Sequence, residues 1–249
     1  MNTVMITGCS SGFGRETAEH FLSKGWSVVA TMRMPREDVL PASDRLRLLP
    51  LDVTDQGSIA AAVEAAGAID ALVNNAGIGW MGPLEGTPEE TIRDIFETNT
   101  FGVMGMVRAV VPQMRARGTG TIVNVSSSTT LKPLPLLPIY TASKAAVNAF
   151  TECLALELEP FGIRVRLVLP GQAPGTRFAT NARAKMAEAG GIPEAYRPLA
   201  ERVFAAHAQA ANREVTEPRD VVAAIWRAVT EPDCPLRLPA GADAVALAG

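Results

Sequence analysis

Short apolar runs rich in β-branched residues recur along the chain and alternate with longer stretches of helical period, and this alternation narrows the fold more than any other feature. The runs are Thr3–Thr7 (TVMIT), Ser27–Met32 (SVVATM), Arg47–Leu51 (RLLPL), Ala71–Asn74, Thr121–Val125 and Ile163–Leu169, with Leu236–Leu238 a short last candidate. Helical patterns fill the intervals, running from a Gly-rich turn to about Lys24, over Ser58–Ala66 and over Phe101–Arg117. In the run TPEE, Thr87 stands where a cap is needed, Pro88 suits the first turn and Glu90 completes a capping box. Strands that alternate with helices predict an α/β fold, a parallel sheet covered by helices on both faces. There is no internal repeat, low-complexity tract or linker, so residues 1–249 read as a single domain.

Composition excludes several partners. Net charge is −3 and no block of like charge occurs, which argues against nucleic acid or an anionic membrane surface as the main partner. No apolar run reaches the length of a membrane span, and the start MNTVMITG lacks the basic and apolar regions of a secretory signal. Cys9, Cys153 and Cys234 are far apart with no CxxC spacing, and His20 and His207 are isolated, so no metal site is predicted. The cysteines read as small core residues, in a reducing, cytoplasmic compartment.

One segment breaks the alternation. From Gly171 to about Thr216 there is no strand candidate, only helix-like pieces near Ala182–Ala189 and Pro198–Ala211. It follows the carboxyl end of a strand, where such folds bind ligands, so residues 171–216 are predicted to form a substrate lid.

The first strand runs into TGCSSGFG, Thr7–Gly14, which opens directly onto a helix. Glycines at 8, 12 and 14 allow a tight turn and close approach of the main chain to a diphosphate, which would meet the free N–H groups of the helix start. Farther on, YTASK sets Tyr140 and Lys144 one helical turn apart, side by side on one face. A phenol alone titrates near pH 10. An adjacent ammonium favours the phenolate, so the phenol is predicted to fall toward neutrality, as general acid–base catalysis requires.

TGxxxGxG at the N-terminus, NNAG at Asn74–Gly77, a serine in NVSSS, YxxxK, and Pro170-Gly171 after the sixth strand together resemble the short-chain dehydrogenase/reductase family. The likeness spans nearly the whole chain and implies a single Rossmann-type, doubly wound domain of about seven strands. Carried over residue by residue, it implies that Gly8, Ser10, Ser11, Gly12, Phe13 and Gly14 line the phosphate turn. Asp52 would accept a hydrogen bond from the adenine amino group beside Val53, and Asn75, Ala76 and Gly77 would meet the adenosine ribose region, with Asn74 bracing the sheet. Pro170 and Gly171 would border the nicotinamide. Ser127, chosen over Ser126 and Ser128 by its distance from the tyrosine, would hydrogen-bond the substrate oxygen. Tyr140 would donate the proton, Lys144 would hold the nicotinamide ribose, and Asn99 would hold a water behind the lysine. The family often has a threonine soon after the Pro-Gly pair; here Thr176 comes one residue late, with Pro174 in between. Asp52 also has a plainer reading, as the cap of the helix that follows it.

At the end of the second strand an NAD site offers a carboxylate to the ribose 2′-hydroxyl. This chain has Met32 and Arg33 there, with no acid until Glu37. A guanidinium suits a 2′-phosphate, so NADP(H) is predicted over NAD(H).

Candidate pocket residues are apolar: Trp80, Met81, Leu134, Leu136, Leu137, Phe178 and Met186, with Arg177 and Arg183 available if the lid folds over. They point to reversible reduction of a lipophilic ketone to a secondary alcohol. The C-terminal stretch DVVAAIWRAVTEP…LRLPAGADA is similar to that of carbonyl reductases and of 17β-hydroxysteroid and retinol dehydrogenases. The family likeness and the Ala-rich face of AAVNAFTECLALELE imply a homodimer or homotetramer. Two other readings are a 3-oxoacyl-[acyl-carrier-protein] reductase, which needs a basic entrance patch, and a non-catalytic NADP-sensing protein, for which a tuned phenol has no use.

Overall fold

The computed structural model describes residues 2–173, 176–210 and 215–249. Its sheet comprises β1 (Thr3–Thr7), β2 (Ser27–Met32), β3 (Leu46–Pro50), β4 (Ala71–Asn74), β5 (Gly120–Val125), β6 (Ile163–Pro170) and β7 (Arg237–Ala240). All pairings are parallel, in the order β3-β2-β1-β4-β5-β6-β7. The predicted strands all form, with ends displaced by a residue or two. β4 and β5 are buried along their whole length, which their apolar runs require of strands covered on both faces. The edge strands β3 and β7 carry Pro50 and Pro239, tolerable where a missing N–H breaks no inner ladder.

Alternate strand residues feed two cores. Val4, Ile6, Val28 and Ala30 meet Phe21 of α1 (Gly12–Ser23) and Val221 and Ile225 of α8 (Pro218–Thr230). Met5, Val29 and Leu72 meet Ile59 of α2 (Gln56–Ala66), Met106 and Val110 of α4 (Gly102–Arg117) and Leu154 of α5 (Pro138–Leu158). The result is a doubly wound Rossmann-type domain. Two of the cysteines, Cys9 and Cys234, are buried as expected; Cys153 is exposed, on the outer side of α5.

Two predicted caps are corrected. Thr87 does not cap α3 (Glu89–Phe96), whose N-cap is Pro88. Its buried hydroxyl instead accepts the Trp80 indole N–H at 3.0 Å and donates to Pro83 O at 2.8 Å. A buried indole must find an acceptor, and that need outranks an exposed helix end. Asp52 is not the cap of α2 either: Asp55 is, accepting from Gly57 and Ser58 N–H at 2.7 and 3.1 Å. Between α3 and α4 the chain widens into a π-turn, Glu97–Phe101, centred on Asn99.

Between β6 and α8 lie α6 (Arg177–Glu188), a 3-10 turn at Glu194–Tyr196 and α7 (Arg197–Ala210); a short α9 (Ala242–Ala248) follows β7. Ala211, the expected end of the second insertion helix, and Pro174 lie outside the described residues. Among those described, no helix is long and apolar enough to cross a membrane. The Asp55 cap makes a direct prediction: Asp55→Ala should lower stability by about 1 kcal/mol, read as an earlier urea midpoint.

Candidate active site

The carboxyl ends of β1, β4, β5 and β6 share one edge, and the chain reverses its winding direction between β1 and β4, the crevice where open α/β sheets take ligands. The glycine turn after β1 is held from β4. Thr7 Oγ1 accepts the N–H groups of Asn75 and Ala76 at 3.0 and 2.9 Å. The Asn75 amide donates back to Thr7 O at 2.9 Å and Gly8 O at 3.2 Å. The approach is so close that a Cβ on Gly14 would lie 2.4 Å from Gly8 O, and one on Gly8 would lie 2.9 Å from Ala76 Cα. Gly12 adopts φ +59, a left-handed conformation that side chains other than glycine's resist.

The Asn75 NH2 group braces the turn, which leaves its Oδ1 and main chain to meet a nucleotide. Phe13 is half-buried and packs against the core. Ser10 is exposed, and Ser11 sits at the N-cap of α1 without a side-chain bond, leaving both hydroxyls free of the helix. Thr7 was not singled out from sequence, although it opens the TGxxxGxG motif.

At the adenosine end, Arg33 is exposed just past β2. Asp52 Oδ1 accepts from Thr54 N–H at 3.0 Å and Thr54 Oγ1 at 2.7 Å. Those bonds, with a smaller contribution from the nearby Arg33 charge, hold its carboxyl below the usual range. Val53 is buried against Gly102, where an added Cβ would lie 2.9 Å from its Cγ2. Asn74 braces the sheet as expected, donating to Asn124 Oδ1 at 2.9 Å.

The end of β5 separates the three serines by role. Ser126 Oγ donates within the bundle, 2.5 Å from Asn148 Oδ1 and 3.2 Å from Lys144 O, and so fixes α5 to the sheet. Ser127 is extended and caps the short turn Ser128–Thr130, accepting from Thr129 N–H at 3.2 Å. Of the three, Ser127 is the one whose side chain acts on the Tyr140 phenol, easing its ionisation. Tyr140 and Lys144 are both buried on α5, and Lys144 Nζ donates to Val125 O at 3.0 Å. A Cβ on Gly77 would lie 3.1 Å from Asn99 Oδ1 and 3.5 Å from Lys144 Nζ, which joins the NNAG turn to the same cluster. The Asn99 amide has both hydrogens engaged: Nδ2 donates to Ile78 O at 2.9 Å and Ser143 Oγ at 3.2 Å, while Oδ1 accepts Ile78 N–H at 2.8 Å. Its side chain therefore has no hydrogen left for a water. Asn148, unnoticed in the sequence, stands one turn beyond Lys144 and completes the brace by donating to Thr130 Oγ1 at 2.9 Å.

The α6–α7 segment covers the tyrosine. The Phe178 ring meets the Tyr140 ring edge-on, centroids 5.7 Å apart, and it occupies the space over Gly79, where an added Cβ would fall 2.7 Å from Phe178 Cε1. Several residues expected to line a pocket instead hold this cover down. Trp80 is buried with Ile95 and Ile139, Met186 packing on them, while Leu136 is buried with Ala200 and Val203 beside Met81. Leu134 and Leu137 are half-buried outside these clusters. Leu136 has φ 63, strain for a branched side chain, in a turn whose carbonyl accepts Gly82 N–H at 2.7 Å. Arg177 and Arg183 stay exposed on α6. Thr176 is buried, its hydroxyl on Ala173 O at 3.0 Å and its Cβ 3.9 Å from where a Gly12 Cβ would stand. It thus lies over the phosphate turn.

Burial decides the electrostatics. It pushes the Tyr140 phenol up to about 12, the Ser127 hydrogen bond opposing only part of the rise. It also pulls the Lys144 ammonium down to about 8. Among the protein's own groups the expected fall of the phenol toward neutrality is thus reversed, because losing water costs the phenolate more than neighbouring groups return. Lys144 remains a buried cation with one carbonyl partner and no carboxylate among the described residues. A hydroxyl-rich, anionic ligand such as a nicotinamide dinucleotide fits those free donors and the glycine cradle. Since the lysine's folded pKa lies below its unfolded value, its cost to stability is full below about pH 8 and fades as pH rises toward 10.5. Lys144→Met should therefore raise Tm at pH 7, by on the order of 1–3 kcal/mol of stability, with the gap closing by pH 10 in thermal melts.

A family profile described as short chain dehydrogenase matches residues 2–187. The chain is 38% identical to a 3-ketodihydrosphingosine reductase of Bacteroides thetaiotaomicron, over 96% of this chain and 87% of that protein. It is also 38% identical to human retinol dehydrogenase 8, over 94% of this chain and 80% of the relative. A short-chain dehydrogenase structure from Streptomyces avermitilis superposes with a TM-score of 0.81 at 35% identity, covering 99% of this chain and 90% of the other. With motif, fold and relatives in agreement, the chain belongs to the short-chain dehydrogenase/reductase family of oxidoreductases.

Proposed function

We propose that the protein is an NADP(H)-dependent carbonyl reductase acting reversibly on a lipophilic ketone, with Tyr140 as the general acid. The observation that carries this reading is the buried pair Tyr140 and Lys144, one turn apart on α5, with Ser127 at the phenol and a glycine-cradled crevice beside them. Gly8, Gly12, Gly14 and the helix start of α1 would hold the diphosphate, Asp52 the adenine, Gly77 and Lys144 the ribose, and Pro170 the nicotinamide side. When bound, the dinucleotide supplies the hydride that reduces the carbonyl carbon. Ser127 and Tyr140 together orient the substrate oxygen, and Tyr140 gives it the phenolic proton. A phenol kept protonated by burial across neutral pH is suited to donating, which favours the reducing direction. The Lys144 ammonium then stabilises the phenolate left behind and passes on a proton from solvent. Asn99 supports that relay through its main chain at the π-turn, while its amide fixes Ile78 and α5.

Residues 171–216 act as the substrate lid in this reading, with Phe178 forming the apolar roof over the ketone. The substrate class is supported by that ring and by similarity to enzymes named for a keto-sphingoid base and for retinol. Arg33 supports NADP(H), since among the described residues its guanidinium has no carboxylate in direct contact, and it stands near Asp52 at the adenosine end. Exposed Phe101 and Leu156 on the α4–α5 side suit self-association into a dimer or tetramer. A second reading gains support from α6, which exposes Arg177, Arg183 and Lys185 at the entrance. Such a face would suit a 3-oxoacyl group carried on an acidic protein.

NADPH consumption over a panel of aryl ketones, long-chain ketones and acetoacetyl thioesters tests both readings. Tyr140→Phe should lower kcat by about 10³-fold while leaving NADPH affinity nearly unchanged; a variant of undiminished rate removes the acid–base assignment. Arg33→Ala should weaken NADPH about tenfold and leave NADH unaffected. Equal losses for the two dinucleotides would overturn the cofactor preference.

A further inference from the structure

The segment between β6 and α8 departs at Gly171 and returns at Thr216, and both roots meet one carboxylate. Asp243, in the first turn of α9, accepts Gln172 N–H through Oδ2 at 2.6 Å and the Thr216 hydroxyl through Oδ1 at 2.6 Å. The roots also bond directly, Thr216 N–H donating to Gln172 O at 3.1 Å. Thr216 Oγ1 lies 2.9 Å from Ala240 O as well. The single hydroxyl proton serves one acceptor at a time, and the shorter contact is the one to the charged carboxylate. Thr216 is 2% exposed, which shields its bond from water. Two glycines leave room for the arrangement: a Cβ on Gly171 would stand 2.1 Å from Asp243 Oδ1, and one on Gly241 would stand 2.0 Å from Thr216 Oγ1. α9 packs in turn against the Ser128–Thr130 turn that Ser127 caps.

We infer that Asp243 is a positioning residue that clamps both roots of the lid and so sets how Phe178 is held over Tyr140. The inference rests on the proposed reading of residues 171–216 as a substrate lid. Charge-assisted bonds to a carboxylate are short and strong, and one acceptor shared by both roots makes them move together. α6 is then a cover hinged on α9 rather than a loop with two independent ends. The plainer role for an acid at this place, stabilising the start of α9 through the helix dipole, would act on α9 alone.

Hydrogen exchange on the full-length protein, read by peptide mass, separates the two. Asp243→Ala removes both charge-assisted bonds and should speed exchange at Gln172, Ala173 and across α6 by at least about tenfold, with the central strands unchanged. In turnover it should raise KM for a long-chain ketone several-fold with kcat within about twofold, since the reactive side chains stay in place. Asp243→Asn should restore both readouts. Its Oδ1 can accept Gln172 N–H while Nδ2 donates to Thr216 Oγ1, whose proton turns to Ala240 O. Lid exchange equal to wild type in Asp243→Ala, or a change confined to α9, would overturn the clamp. Should Asp243→Ala not fold, Thr216→Val, of the same shape, carries the test: faster exchange at the lid roots supports the clamp and unchanged exchange overturns it. Exchange needs no turnover. A wild-type protein inert toward every ketone would defeat the proposed function and leave the clamp to be decided by the exchange data.

Discussion

Every strand of the sheet runs the same way, and this parallel order gathers the loops that follow β1, β4, β5 and β6 on a single edge. Every return except that from β2 to β3 crosses over through a helix, and residues more than a hundred positions apart thereby arrive side by side. Glycines 8 and 14 then let the first turn lie against the end of β4 at main-chain distance, with Thr7 and Asn75 stitching the two together. The crevice wall is thus held by side-chain to main-chain hydrogen bonds, over a floor of buried sheet.

On that floor, burial is the second governing fact. Taking Tyr140 and Lys144 out of water raises the one and lowers the other, and both shifts favour the uncharged forms. The pair is thereby poised for a ligand that supplies the missing polar contacts, and stability is given up at a site where chemistry needs it. The brace of Ser126, Asn148 and Thr130 keeps α5 in register with β5, so that the phenol and the Ser127 hydroxyl stay in reach of one another.

Much of the fold was legible because its signals are local. Apolar runs located each strand to within a residue or two, and the TGxxxGxG, NNAG and YxxxK motifs carried the glycine turn, the β4 end and the Tyr140–Lys144 pair. Sequence reading failed where a side chain had two suitors. Thr87 had the pattern of a cap but was taken by the Trp80 indole; Asp52 had a second reading as the cap of the next helix, a place that Asp55 fills. The pocket reading of Trp80 and Leu136 failed for a related reason, since an apolar residue near a site looks the same whether it lines the cavity or anchors the cover.

What the sequence by itself determined was the order of strands and helices, the glycines that permit a close turn, and the spacing that puts a phenol and an ammonium on one helical face. Those follow from backbone stereochemistry and helical period, which act over a few residues. Only the tertiary structure decided that the phenol is made harder to ionise, that Phe178 roofs it, and that Asp243 joins Gln172 and Thr216 across separations of 71 and 27 residues. Desolvation and long-range hydrogen bonds depend on which surfaces meet, and no short stretch of chain contains that information.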